Sequence, residues 1–201
     1  MRESFERKYR HVLEILPDVA QATEGKLILV GGTALAIFYL QHRTSVDLDF
    51  VPMKERDDKM KEMLKGALSS KGYRTRRSAY ANQFVVQFQD TAIKIEVFVP
   101  DTYKIRKIER HEIGGRELLV ASLEDILRMK KRAYGERRAS RDLFDLYCIA
   151  RRNGNGEEIV WQMIKKAGPP QRLEEFGHMV AEPADYEEFV RVIRSCSPTK
   201  S

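Results

Sequence analysis

The sequence predicts an α+β protein in which strands and helices alternate up to residue 121 and helices follow to the C-terminus. Three observations support this fold class. Short apolar runs bounded by turn residues alternate with helix-like apolar stripes in the first part of the chain. Two sets of turns have the length and composition of a strand meander and of a hairpin. Beyond residue 121 the apolar residues recur at helical spacing.

Three helices are predicted in this first part. The first covers residues 3–22 and has Pro17 near its end, the second is a short apolar helix over 33–40, and the third covers 56–70. In the first and third, the apolar residues fall on one face of a 3.6-residue period. These residues are Tyr9, Val12, Leu13 and Leu16, and Met60, Met63, Leu64 and Leu68.

Five strands are predicted between and after these helices. Two of them, at 26–30 and 46–51, flank the short apolar helix. The other three cover 73–78, 83–88 and 92–99. Because short loops rich in turn residues join these last three, they are expected to form a meander.

A hairpin and a helix start mark the end of the strand-containing part. Gly114 and Gly115 lie between Glu112 and residues 118–120, as in a hairpin with a tight turn. Ser122 has the position of an N-cap, and Asp125 has the capping-box position three residues later. The helices that follow are expected to break at 153–156, at 168–170 and at Pro183.

Length and composition restrict the class of protein. A chain of 201 residues with 42% hydrophobic residues suits one folded domain, or one domain with a helical appendage, and excludes a disordered chain. No apolar run has the length of a membrane span, and the N-terminus lacks a signal-peptide core. Cys148 and Cys196 have no metal-site or disulfide spacing, which favours a reducing, cytoplasmic location.

The positive charge of the chain is concentrated in one segment. Residues 102–152 contain 14 Lys and Arg against 8 Asp and Glu, a surplus equal to the net charge of +6 of the whole chain. Such a segment can bind a polyphosphate or an RNA backbone, and Arg106, Lys107 and Arg110 are a predicted route for an RNA such as tRNA. The alternative is a solvated, charge-rich surface without a ligand.

Two adjacent motifs indicate phosphate and metal chemistry. Gly31 and Gly32 end an apolar run, and a turn without Cβ atoms lets a phosphate approach the backbone closely. Asp47 and Asp49 alternate with apolar residues of the next strand, so both carboxylates share one face. Their repulsion is relieved by a cation, which predicts a Mg²⁺ (or Mn²⁺) site. Taken singly, the glycines are also compatible with a plain turn, and the D-x-D with a solvated strand face or half of another metal site.

A third carboxylate is expected at Glu96. It lies in the middle of an apolar strand, on the same face as Lys94 and Phe98, where an acid without a partner is unfavourable. Asp101 is the weaker candidate for this role, and Glu96 is also compatible with an exposed edge strand.

A second polar cluster lies in the helical part. Lys130 and Lys131 are adjacent, so one can face the sheet while the other faces water, and Asp142 and Asp145 share a helical face. A salt-bridge network between helices is one interpretation of this cluster. A contribution to the phosphate site is the other.

Together these motifs resemble the AbiEii-type toxins, also called type IV toxins, of the nucleotidyltransferase superfamily. The resemblance covers residues 26–149 and rests on Gly31, Gly32, Thr33, Ala34, Leu35, Arg43, Ser45, Asp47, Leu48, Asp49, Lys130, Ala133, Arg137 and the run from Arg141 to Tyr147. It implies a nucleotidyltransferase-like mixed β-sheet flanked by helices, with a C-terminal helical bundle. Residues 1–121 would be the nucleotidyltransferase core and residues 122–201 the helical region that completes the active site.

The resemblance also implies Mg²⁺-assisted transfer of a nucleotide from an NTP, and usually a neighbouring antitoxin protein. For an in-line displacement we expect Asp47, Asp49 and Glu96 to hold metal and to be catalytic together with Lys130. Arg43 and Lys130 would neutralise the leaving pyrophosphate, and Asp142 would either orient Lys130 or contact the nucleotide. The expected nucleotide-binding residues are Gly31, Gly32, Thr33, Arg43, Ser45, Lys130 and Asp142.

Two other function classes are less compatible with these motifs. A catalytically silent module of the same fold would bind RNA or protein, but it has no use for an intact Asp47 and Asp49 pair. A D-x-D glycosyltransferase predicts a longer chain and gives no role to the cluster from Lys130 to Asp145. The acceptor of the nucleotide, whether RNA, protein or small molecule, cannot be read from the sequence.

Overall fold

The structure, a computed structural model, describes residues 2–54, 56–99, 103–173 and 176–196. Within these residues, seven strands form one sheet, and the chain also forms seven α-helices. The strands are β1 (Leu27–Val30), β2 (Leu48–Pro52), β3 (Arg74–Arg77), β4 (Gln83–Gln87), β5 (Ala92–Val97), β6 (Ile108–Ile113) and β7 (Arg116–Ala121). The helices are α1 (Arg2–Thr23), α2 (Gly31–Ala34), α3 (Asp57–Ser70), α4 (Leu123–Arg137), α5 (Ser140–Arg151), α6 (Gly156–Ala167) and α7 (Pro183–Cys196).

The sheet is mixed, and its strand order is β3-β4-β5-β2-β1-β7-β6. Strand β1 pairs in parallel with β7, and β2 pairs in parallel with β5. The remaining neighbours are antiparallel, including the central pair of β1 and β2. This architecture confirms the predicted α+β fold and the mixed sheet with flanking helices that the resemblance implied.

Two apolar clusters hold the described part of the chain together. The larger one lies between the sheet and helices α1 and α3, and α4 contributes Ile126 and Met129 to it. The second lies among α5, α6 and α7 and is rich in aromatic rings, such as Phe144, Tyr147 and Phe189. Helix α4 follows residue 121 but packs on the core of the sheet, so the two predicted regions, 1–121 and 122–201, share one apolar cluster. The boundary between them stays a prediction.

Helix α1 continues through Pro17 to Thr23 and agrees with the predicted range 3–22 to within one residue at each end. A proline inside a helix removes one backbone hydrogen bond. Burial offsets this cost, because Val19 and Ala20, which follow the proline, are 0% and 1% exposed. The ring of Pro17 also packs on the hairpin turn at Gly114. A Cβ added at Gly114 would lie 2.9 Å from the Cβ of Pro17.

The turn between β6 and β7 confirms the predicted hairpin. Gly114 and Gly115 both have positive φ angles, +56° and +72°, as a two-residue hairpin turn requires. The predicted N-cap is confirmed as well, because Ser122 Oγ accepts a hydrogen bond from the Asp125 backbone N–H at 3.2 Å. An unexpected break separates α4 from α5, where Arg138 takes a left-handed conformation with φ +47°.

The segment between β1 and β2 positions the candidate site. Helix α2 begins at Gly31, directly after β1, and continues as a π-helical segment (Leu35–Leu40). The strand predicted from residue 46 begins instead at Leu48, so Asp47 lies just before it. Among the described residues, no helix combines the length and the apolar character needed to cross a membrane.

Candidate functional site

A cavity of about 340 Å³ lies where β1 ends and β2 begins, facing α4 and α5. Ten charged side chains line it, five of each sign. The cations are Arg43, Lys94, Lys130, Arg137 and Arg141, and the carboxylates are Asp47, Asp49, Glu96, Glu136 and Asp142. We call Asp47, Asp49 and Glu96, on and beside the strands, the acidic wall, and Arg43, Lys130, Arg137 and Arg141 the basic wall. Lys94 lies on the strand side of the cavity, and Glu136 and Asp142 lie on the helix side.

The acidic wall is built by strand register. Asp49 on β2 and Glu96 on β5 are direct partners in a parallel pair. Leu48 and Phe50 are fully buried on the other face of β2, which turns Asp49 towards the cavity. Asp47 lies at the same edge and lines the same cavity. The structure therefore brings together the three carboxylates that the sequence singled out.

The two glycines make room for these side chains. Gly31 has φ +75°, and a Cβ there would lie 2.6 Å from the Asp49 carboxylate. At Gly32 a Cβ would lie 2.9 Å from both the Arg43 guanidinium and the Ser45 hydroxyl. The sequence predicted a close approach of phosphate to this turn. The structure adds that any side chain here would displace residues of the site.

Burial changes the acidity of Asp49. Desolvation raises the pKa of Asp49 to about 6, the nearby charges of Asp47 and Glu96 add to this rise, and Lys94 opposes it. The charged form is therefore unfavourable in the chain without a ligand. A cation at this place would relieve the cost.

Asp49→Asn is accordingly expected to stabilise the fold above pH 6 when a chelator is present. The carboxyl pKa is raised on folding, so the stability of the wild-type chain falls as pH rises from about 4 to about 6. The variant has no carboxyl group to ionise at this position. Its free energy of unfolding should therefore exceed that of the wild type by about 1–3 kcal/mol at pH 7–8, but by little near pH 4. Urea unfolding of both chains across this pH range measures the difference. A gain that does not grow with pH would contradict the prediction.

Lys94 lies among the carboxylates. Its ammonium is 3.4 Å from Asp47 Oδ2 and 3.7 Å from Glu96 Oε2. Among the described residues, no three Asp, Glu, His or Cys side chains are arranged to enclose a metal by themselves. The sequence placed Lys94 on the same strand face as Glu96, which was the available signal, but gave it no role.

Two amides fix Glu96. Asn82 Nδ2 donates to Glu96 Oε1 and Gln83 Nε2 donates to Oε2, both at 2.9 Å. Both donors lie at the start of β4, directly beside β5. Sequence reasoning treated them only as turn and strand residues, because nothing local shows that they reach across to the next strand.

The basic wall centres on Lys130. Its side chain is 9% exposed, and its ammonium lies 2.9 Å from Asp142 Oδ1 and 2.7 Å from Asp145 Oδ2. Arg137 also binds Asp142, donating from Nε at 2.6 Å and from Nη2 at 2.9 Å. Asp142 therefore contacts Lys130 directly, as the first of its two expected roles requires, and its role towards a nucleotide stays a prediction. Lys131, by contrast, is exposed.

Behind Lys130, Asp145 binds two more residues of the same network. Arg43 donates to both carboxylate oxygens of Asp145, from Nε at 2.7 Å and Nη2 at 2.8 Å. His42 Nε2 donates to Asp145 Oδ1 at 2.7 Å, since a carboxylate can only accept. Burial opposes ionisation of Asp145, but the charges of Arg43 and Lys130 hold its pKa well below the usual value. Arg43, Lys130 and Asp142 thus belong both to the salt-bridge network and to the cavity wall, whereas His42 and Asp145 lie behind that wall.

Some expected residues have a different position or use. Thr33 is fully buried, and its hydroxyl donates to the Asp47 backbone carbonyl, so this hydroxyl holds the acidic loop rather than lining the cavity. Ser45 lines the cavity as expected. Asp101, the alternative third acid, lies outside the described residues.

The basic segment of residues 102–152 divides between two places. Lys130, Arg137 and Arg141 line the cavity. Arg110 lies on β6, which three strands separate from β5, and pairs with Glu117 at 2.6 Å. Neither Arg106 nor Lys107 contributes to the cavity lining.

Comparisons with known proteins add independent findings. A family model described as "Nucleotidyl transferase AbiEii toxin, Type IV TA system" matches residues 14–200. Comparison with curated proteins gave no match.

Three solved structures share the fold. JHP933 from Helicobacter pylori has 18% identity and a TM-score of 0.60, with 95% of this chain and 92% of that chain covered. A candidate nucleotidyltransferase from H. pylori has 18% identity and a TM-score of 0.58, with 91% and 92% covered. An antigenic nucleotidyltransferase-like protein from Paracoccidioides brasiliensis has 15% identity and a TM-score of 0.55, with 77% and 88% covered.

Proposed function

Because the chain belongs to the AbiEii family of nucleotidyl transferase toxins of type IV toxin–antitoxin systems, we propose that the cavity catalyses Mg²⁺-dependent transfer of a nucleotide from an NTP to a macromolecular acceptor. One observation carries this proposal: an acidic wall faces a basic wall across a space of about 340 Å³. Such a pair of walls suits a triphosphate and its counterion together.

The chemistry of the acidic wall fits Mg²⁺ or Mn²⁺. Protein sites for Mg²⁺ usually supply one or two carboxylates, and substrate phosphates and water complete the coordination. Asp47 and Asp49 are the carboxylates that would hold the metal, with Glu96 as third acid. When bound, the metal would act as a Lewis acid on the phosphates and neutralise their charge. Lys94 and a divalent cation would compete for the same oxygens.

The basic wall would hold the triphosphate. Lys130 uses two of its three N–H donors on Asp142 and Asp145, which leaves one for a phosphate oxygen. Arg43 uses three of its five N–H donors on Asp145 and on the Thr44 carbonyl, which leaves two, and it also lines the cavity. The backbone N–H groups at the start of α2 would complete the phosphate site. These groups would stabilise the negative charge that develops on the leaving pyrophosphate.

Lys130→Ala should therefore weaken binding of a non-hydrolysable NTP by about tenfold to a hundredfold. A charge-assisted contact of this kind is worth about 1.5–3 kcal/mol. Lys131→Ala is the matched control, because this lysine is adjacent but exposed, and it should change the affinity less than about twofold. Calorimetric titration of both variants measures the difference. Small and equal losses would show that Lys130 serves only the salt-bridge network.

The acceptor is proposed to be an RNA such as tRNA, or a protein, and the net charge of +6 favours RNA. Incubation with each α-labelled NTP, total RNA and lysate protein tests the function and identifies the acceptor at once. We expect label in RNA. Label in protein would exclude the RNA acceptor but keep the transfer reaction, and no label in any fraction would contradict the proposed function.

Family membership further suggests an antitoxin protein as partner.

A further inference from the structure

A second basic surface lies on the edge strand β3. Arg74, Arg76 and Arg77 are all exposed there. Within the described ranges, none of the three side chains forms a salt bridge or a hydrogen bond with another residue. Because side chains alternate along a strand, Arg74 and Arg76 share one face of this edge and Arg77 lies on the other, beside the groove described below. The edge therefore carries positive charge on both faces. We call these three residues the arginine edge.

A groove of about 270 Å³ adjoins the arginine edge, between α3 and the turn that joins β3 to β4. Its charged lining consists of Lys61, Lys65, Arg77 and a single carboxylate, Glu62. Tyr80 stands at the rim of the groove and is 67% exposed. Cationic groups that track a backbone beside an exposed aromatic ring are the usual elements of a single-strand nucleic-acid site.

The groove is connected to the catalytic cavity through a short stretch of chain. Lys61 Nζ donates to the Ala81 carbonyl at 2.5 Å, which fixes the turn. The next two residues, Asn82 and Gln83, are the donors that hold Glu96. Gln83 is also the strand partner of Glu96. A strand of RNA bound in the groove would thus have its end close to the third acid.

We propose that the groove and the arginine edge bind the single-stranded end of the RNA acceptor. The arginines contact phosphates, Tyr80 stacks on a base, and the terminal hydroxyl is directed towards Glu96. This inference rests on the proposed RNA acceptor. Basic side chains on an edge strand also prevent pairing with another sheet edge, but that role needs neither the groove nor the exposed tyrosine.

Neutralising the arginine edge tests the proposal. Arg74→Gln, Arg76→Gln and Arg77→Gln are combined in one variant. Lys166→Gln, Arg191→Gln and Arg194→Gln, exposed on α6 and α7 and outside the groove and the cavity, form the matched control. Anisotropy of labelled tRNA, measured between about 50 and 200 mM salt, gives the affinity and its salt dependence. We expect at least a tenfold loss for the first triple variant, with a slope of log affinity against log salt reduced by about 2. The control should change affinity by less than about twofold.

Tyr80 provides a second, independent variant. Tyr80→Ala should weaken tRNA binding by about fivefold or more, whereas Tyr80→Phe keeps the ring and should bind like the wild type. Each variant is also titrated with a non-hydrolysable NTP, whose affinity should not change. Equal losses in both triple variants, no loss in the first, or self-association without loss of tRNA affinity would overturn the proposal. If NTP binding is retained in any of these cases, only the proposed RNA groove is contradicted, and the proposed nucleotide transfer is not.

Discussion

Replacing Asp47 and Asp49 together with alanine is expected to lower nucleotide transfer by about a thousandfold or more. Both carboxylates line the cavity opposite the basic wall, and their loss removes the proposed ligands of the metal that offsets the triphosphate charge. The fold should survive, because the apolar residues of β2 stay buried and Asp49 itself is unfavourable when charged. Label transfer from an α-labelled NTP measures the effect, and circular dichroism checks the fold.

The matched control is Asp57→Ala with Asp58→Ala. These two acids also lie close together in the sequence, but in the first turn of α3, outside the lining of the cavity. Replacing them with alanine should lower the stability of α3 only slightly and should leave nucleotide transfer unchanged. Transfer by the Asp47 and Asp49 double variant at the level of this control would contradict the assignment of the acidic wall.

Asp145→Ala is expected to destabilise the protein by about 3–5 kcal/mol. Asp145 is fully buried and compensates the charges of Arg43 and Lys130. Without it, buried cations lose their main partner, which is far costlier than losing an exposed ion pair. Urea unfolding gives the free energy directly, and the melting temperature should fall by about 6–20 °C.

Asp185→Ala serves as the comparison for this variant. Asp185 also pairs with an arginine, Arg151, but its side chain is 28% exposed and that of the arginine is 44% exposed. The expected cost is below about 1 kcal/mol. If the two variants were equally stable, the network around Asp145 would not be a structural element of the site.

Much of the fold follows from local patterns. The alternation in β2, the Gly-Gly hairpin turn and the Ser122 cap each depend on a few neighbouring residues, so the sequence predicts them correctly. The break at Arg138 was not predicted, because tertiary packing determines it. The carbonyl of Arg138 accepts a hydrogen bond from the Gln171 backbone N–H, a contact that no local pattern reveals.

The residues of the site also fall into two groups, those that local patterns predict and those that depend on tertiary contacts. Asp47 and Asp49 are visible because the period of a strand places them on one face, and Lys130 is marked by the family motif. The partners of these residues are distant in sequence: Arg43 and His42 lie more than 100 positions from Asp145. His42 carries no sequence signal of its own. The use of Thr33 to hold the Asp47 carbonyl likewise depends on the turn that the folded chain adopts.

The most direct test of the two-wall site is a calorimetric titration of a non-hydrolysable NTP into the wild-type protein, once with Mg²⁺ and once with a chelator. The proposed site requires a cation between the carboxylates of the acidic wall and the phosphates. We therefore expect binding to be at least about tenfold tighter with Mg²⁺, and this gain should disappear in the Asp47 and Asp49 double variant. Equal affinity with metal and with chelator would contradict the account.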